Sequence, residues 1–151
     1  MRVLVLAALA LLVQLSSALV IGVTMKTALV TGATDGIGRH TATRLAQDGW
    51  RVLVHGRNPS RIEESVKMIK LKAPGAEVEA YRADFANLDD VRRLGNEVLA
   101  NHPTLDLLIN NAGVYEESMQ TTKDGREFVF QVLPVDLGMN TLQSTQAQCR
   151  R

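Results

Sequence analysis

Thr31-Gly32-Ala33-Thr34-Asp35-Gly36-Ile37-Gly38 sets three glycines between two segments of different period. Before it, Lys26 to Thr31 is a short apolar run with strand character. After it, Gly36 to Asp48 carries Ile37, Leu45 and several alanines and threonines on a helical period. The reading is strand, glycine turn, helix. Glycines let the backbone come close to a pyrophosphate, whose charge meets the N–H groups at the helix start. Glycine spacing alone says little. The flanking strand and helix, with a second strand about twenty residues on, turn it into a dinucleotide-binding signal. Gly32, Thr34, Asp35, Gly36, Ile37 and Gly38 are therefore candidate cofactor-binding residues.

Downstream the alternation continues. Arg51 to His55 is a second β-rich run closed by Gly56, after which Asn58 can cap a helix that starts at Pro59. Ile62, Val66 and Ile69 share one face of that helix, Glu63, Glu64, Lys67 and Lys70 face water, and Pro74-Gly75 ends it. Glu77 to Ala83 alternates as a third strand. Asn87 opens a third helix with Val91, Leu94 and Val98 inward, and Leu105 to Ile109 reads as a fourth, buried strand. The order βαβαβαβ predicts an α/β fold: a partial Rossmann-like, doubly wound parallel sheet of about four strands in three layers, with ligands at the carboxyl ends of the strands.

At the end of the second strand, where a carboxylate would hold a ribose 2′-hydroxyl, the chain has His55-Gly56-Arg57-Asn58 and no acid. A guanidinium suits a 2′-phosphate, so Arg57 and Asn58 join the candidate set and NADP is preferred over NAD. The plainer alternative for Arg57 is a solvated loop arginine.

Composition narrows the function classes. The 151 residues carry 17 basic and 16 acidic side chains for a net charge of +1, with no long Lys/Arg block before the last two positions. That balance argues against nucleic-acid binding by counterion release. The single Cys149 allows neither an intramolecular disulfide nor a cysteine zinc cluster, and His40, His55 and His102 are not at ligand spacing, so no metal site is expected.

Residues 1–24 read differently from the rest, with one charge, Arg2, followed by an apolar run from Val3 to Val13 and small residues at Ser16 and Ala18. This fits a secretory signal, and the uncharged stretch to Thr24 is also about long enough for a retained membrane anchor. Met25 opens a run that makes a natural domain start, so a gene-model extension is the third reading. The first two place the protein in the secretory pathway or at a membrane, the third in the cytoplasm.

The motifs together resemble the short-chain dehydrogenase/reductase family. Its Thr-Gly-x-x-x-Gly-x-Gly signature is matched by Thr31 to Gly38. Ala83-Asp84-Phe85 is similar to the family's acidic-hydrophobic pair after the third strand, which implies that the Asp84 carboxylate meets the adenine amino group. Asn110-Asn111-Ala112-Gly113 resembles the Asn-Asn-Ala-Gly signature, which implies that Asn111, Ala112 and Gly113 line the cofactor site and stabilise the sheet. Thr122-Lys123-Asp124-Gly125, with Glu127 and Phe130, looks like the entry to the next helix. The resemblance spans residues 25–132 and implies hydride transfer between a nicotinamide and a carbonyl or alcohol.

It also implies a tyrosine acid/base, a lysine four residues later, a serine and usually an asparagine. A phenol with pKa near 10 needs such a cation to work near neutrality. Tyr81 and Tyr115 are followed at that spacing by Phe85 and Met119, so no catalytic residue is assigned. Where the family continues with an asparagine and an apolar helix, this chain reads Leu133-Pro134-Val135-Asp136-Leu137-Gly138, and proline breaks such a helix. Residues 133–151 are expected to form an irregular tail resembling unrelated coding sequence. The expected function is an NADP-dependent oxidoreductase of this type, here truncated, that binds nucleotide but lacks the catalytic serine, tyrosine and lysine. The alternative is a non-catalytic nucleotide-binding module. An uncovered sheet edge beside Leu107 and Ile109 would let it self-associate or pair with a full-length relative.

Overall fold

A computed structural model describes residues 25–114 and 118–132. In chain order the elements are β1 (Thr27–Val30), α1 (Gly36–Gln47), β2 (Arg51–Gly56), α2 (Pro59–Lys72), β3 (Val78–Arg82), α3 (Leu88–Asn101), β4 (Leu107–Ile109) and α4 (Phe128–Val132). The strands form one sheet of order β3-β2-β1-β4, every pairing parallel. β1 is thus central, and the chain crosses it between β3 and β4. This is the switch point at which open parallel sheets leave a crevice.

Alternation along β1 and β2 builds two cores. Leu29 and Leu53 point to one face, where Tyr81, Leu94, Val98, Leu105 and Val132 bury them beneath α3 and α4. Val30, Val52 and Val54 point to the other, against Ala42 and Ala46 of α1 and Ile62 and Ile69 of α2. Helices on both faces make the three layers.

Local signals set the helix ends. The Asn58 side chain accepts the Arg61 N–H at 3.2 Å and Pro59 occupies the first turn of α2. Asn87 accepts the Asp89 N–H at 3.0 Å, and Asp89 and Asp90 sit at the positive end of the α3 dipole.

Ile37 is 78% exposed: the buried stripe of α1 is Gly38, Ala42 and Ala46, small residues that let the helix lie close to the sheet. One expectation needs correction. The fourth strand begins at Leu107 rather than Leu105, since the Asp106 carboxylate interrupts the apolar run and accepts the Thr27 N–H at 2.8 Å. Among the described residues β4 is an end strand of the sheet, and its three residues are only half-buried. No helix among the described residues is long and apolar enough to cross a membrane. The leader, anchor or extension expected at residues 1–24, Tyr115, and the Pro134 break with the tail all lie outside the described residues.

Candidate functional site

The carboxyl ends of β1, β2, β3 and β4 open onto a groove of about 570 Å³, within the usual range for small-molecule sites. Gly32, Thr34, Asp35, Gly36, Ile37 and Gly38 line one side, Arg57, Asp84 and Phe85 another, and Asn111, Ala112 and Gly113 the third. Asn58 alone of the candidate residues is not in the wall; its side-chain oxygen is committed to the start of α2.

The three glycines of the turn do different work. Gly32 has φ +62° and an added Cβ would lie 2.8 Å from the Ala112 Cα, so β1 and the β4 loop can meet only with hydrogen there. A Cβ at Gly38 would collide with the Asn111 side-chain amide and the Gly32 carbonyl. Gly36, at φ +50°, has nothing within 4 Å of its added Cβ. Two glycines therefore serve the packing of the protein against itself, and the third keeps open space at the start of α1.

Hydrogen bonds weld the turn to the β4 loop. The Thr31 hydroxyl accepts the N–H groups of Asn111 and Ala112, each at 2.9 Å. The Asn111 amide donates to the carbonyls of Thr31 at 3.0 Å and Gly32 at 3.2 Å. At the helix start Asp35 accepts the Gly36 N–H at 2.8 Å, and Arg39 and Arg61 approach its carboxylate at 3.3 and 3.9 Å. Both guanidiniums offset the negative charge that Asp35 places where an anion would dock.

On the opposite wall, Asp84 accepts the Ala86 N–H at 3.0 Å and donates its own N–H to the Asp90 carboxylate at 3.0 Å. That bond, with Arg93 beside it, holds the Asp90 carboxyl below its ordinary pKa. Fully buried Gln131 donates to the Phe85 carbonyl at 3.0 Å and accepts the Thr122 hydroxyl at 2.7 Å, so α4 is fastened to the groove and Val132 reaches its wall.

Sequence reasoning missed several contributors. Arg61 lines the groove beside Arg57; its place two residues past Pro59, in the first turn of a capped helix, was the available signal. Gly56 also lines it, where a Cβ would strike the Thr34 methyl. Gln131 and His55 left no local signal. His55 has its ring stacked on Phe85 with centroids 4.3 Å apart, and burial lowers its pKa to about 4, partly opposed by the Ala83 carbonyl and the Asp84 charge.

Tyr81 is 3% exposed and faces away from the groove lining. Its hydroxyl meets His102 at 3.1 Å and Asn101 at 3.4 Å, and burial raises its pKa. No lysine is among the described residues that line the groove.

The family model for short chain dehydrogenases matches residues 26–137. The chain is 41% identical over 111 residues to a Streptomyces sp. (strain C5) protein named as a daunorubicin C-13 ketoreductase, covering 74% of this chain and 38% of that protein. It is 36% identical over 107 residues to human retinol dehydrogenase 13, covering 71% and 32%. Among solved structures, a metagenomic short-chain oxidoreductase in complex with NADP matches at 29% identity and TM-score 0.60, covering 78% of this chain and 52% of that one. The chain thus spans about a third to two fifths of the length of these curated relatives.

Proposed function

Because the chain belongs to the short-chain dehydrogenase family, we propose that its groove holds NADP(H), the cofactor half of an oxidoreductase acting on a carbonyl or alcohol. The observation that carries this is the pair of guanidiniums, Arg57 and Arg61, lining the groove beyond β2, with no carboxylate in the β2-end segment His55 to Asn58. NADP(H) would supply hydride chemistry at the nicotinamide. The residues present fit the rest of it: the open space at Gly36 and the start of α1 suit the diphosphate, with Thr34 and Ile37 flanking. Arg57 and Arg61 take the 2′-phosphate, Asp84 and Phe85 the adenine, and Asn111 to Gly113 the wall beyond the turn. Asn58 contributes indirectly, by fixing the turn that carries Arg61.

Calorimetric titration tests the reading. NADP should bind more tightly than NAD, and Arg57→Glu should weaken NADP by about tenfold or more while leaving NAD within about threefold, since tenfold corresponds to about 1.4 kcal/mol of charge recognition. Equal affinity for the two dinucleotides would overturn it.

The 151-residue chain by itself binds without turnover in this reading. Tyr81 is buried with its hydroxyl engaged and its pKa moved upward, opposite to what an acid/base near neutrality needs. Neither Tyr81 nor Tyr115 is followed by lysine at the family spacing. Incubation with NADPH and a panel of aldehydes and ketones checks this, and sustained NADPH oxidation would refute it.

A second reading rests on β4, an end strand of the sheet among the described residues, whose Leu107, Leu108 and Ile109 are half-buried. Such an edge suits pairing with a second copy or a full-length relative. Sedimentation equilibrium should show a mass that rises with concentration; a monomer throughout removes self-pairing.

A further inference from the structure

His55 is the penultimate residue of β2, 3% exposed, and both of its ring nitrogens are engaged across the sheet. Nδ1 accepts the Gly32 N–H at 3.2 Å. Nε2 lies 3.1 Å from the Ala83 carbonyl, and only an N–H can face a carbonyl, so the neutral ring carries its proton on Nε2. The backbone adds a third tie, the Ala33 N–H donating to the His55 carbonyl at 2.9 Å. The ring face rests on Phe85. One side chain therefore joins Gly32, two residues past β1, to Ala83, the residue after β3, beneath both walls of the groove.

We propose that His55 is a positioning residue for the dinucleotide: by accepting the Gly32 N–H it holds the glycine turn in the backbone geometry that receives the diphosphate. The inference rests on the NADP(H) reading of the groove. Gly32 sits at φ +62°, a conformation whose amide direction nothing in its own side chain can fix. An acceptor fixed to β2 and β3 supplies that direction from outside the turn.

Two substitutions separate the ring's two bonds. Asparagine places an oxygen near the Nδ1 position and keeps an acceptor for Gly32; glutamine reaches the Nε2 position and keeps a donor for Ala83. With the full chain, NADPH and adenosine 2′-monophosphate, which has no diphosphate, are titrated against each variant. His55→Gln should weaken NADPH by about threefold to tenfold, the range one hydrogen bond commands, with adenosine 2′-monophosphate unchanged, and His55→Asn should hold NADPH within about twofold of the unmodified chain. Equal loss of both ligands in His55→Gln, or no loss of NADPH, overturns the positioning role while the cofactor reading stands. An unmodified chain that binds neither ligand defeats the cofactor reading and the inference with it. If His55→Gln does not fold, ¹⁵N spectra of the unmodified chain decide: an unprotonated, hydrogen-bonded Nδ1 is expected, and a proton on Nδ1 overturns the proposal.

Discussion

Thr31 and Asn111 are joined twice, through the Asn111 N–H to the Thr31 hydroxyl at 2.9 Å and through the Asn111 side-chain amide to the Thr31 carbonyl at 3.0 Å. The pair stands 80 residues apart in the chain and locks the end of β1 to the loop that leaves β4. Asn111 and Gly32 are therefore held by one set of bonds, so stability and groove shape depend on the same atoms.

Thr31→Val keeps the shape but removes the acceptor shared by Asn111 and Ala112. Leaving two N–H groups without it should lower stability by about 2–4 kcal/mol. Thr31→Ser should restore most of that. Urea unfolding of the three proteins gives the comparison, and a valine variant as stable as the original would contradict the bonding described.

Gly36→Ala and Gly38→Ala should fail in different ways. At Gly38 the methyl meets the Asn111 amide and the Gly32 carbonyl, so the loss is structural, about 1–3 kcal/mol or more from overpacking. At Gly36 there is room, and the left-handed backbone alone costs about 1–2 kcal/mol. Gly36→Ala should remain folded and lose NADPH affinity, while Gly38→Ala should show the larger drop in melting temperature.

Acid should destabilise the fold through His55. Its folded pKa, lowered from 6.5 to about 4 by burial, lies below the unfolded value, so the unfolded chain takes up the proton first. The Asp84 carboxylate and the Ala83 carbonyl face the ring and oppose the shift without reversing it. Stability is complete above about pH 6.5 and declines by about 3 kcal/mol as pH falls to about 4. Replacing the ring with His55→Phe should flatten that part of the stability–pH curve; an unchanged slope would show that other groups carry it.

Asn58→Ala should cost about 1 kcal/mol as a lost helix cap, and Asn58→Asp should recover it. Because Asn58 does not line the groove, NADP affinity should change by no more than about twofold, roughly the effect of shifting a neighbouring turn rather than losing a contact. A tenfold loss in the folded alanine variant would return Asn58 to the binding wall.

What the chain announces about itself is local in origin. The alternation of strand and helix, the caps at Asn58 and Asn87 and the glycine turn all arise from neighbours a few residues apart, where period and backbone freedom act directly. Twelve of the thirteen candidate residues converge on the groove for the same reason, since the turn motifs sit at strand ends and parallel strands put those ends together. The apolar, buried Leu105 suggests a longer fourth strand than the one formed, while its start is set by Asp106 reaching Thr27 across the sheet.

The division of labour among Gly32, Gly36 and Gly38 was invisible in the motif, where they look alike; the atoms that decide it belong to Asn111 and Ala112. The same holds for Ile37, turned outward by the need of α1 to press small residues on the sheet, and for Gln131, spent on Phe85 46 residues away. His55 was a histidine at a strand end until three strands brought Gly32 and Ala83 to its two nitrogens. Sequence alone determined the order of elements and the kind of groove, because those follow from short-range backbone preference. Only the assembled sheet decided which side chains hold the groove in shape, because a buried hydrogen bond takes its value from a partner that folding must first deliver.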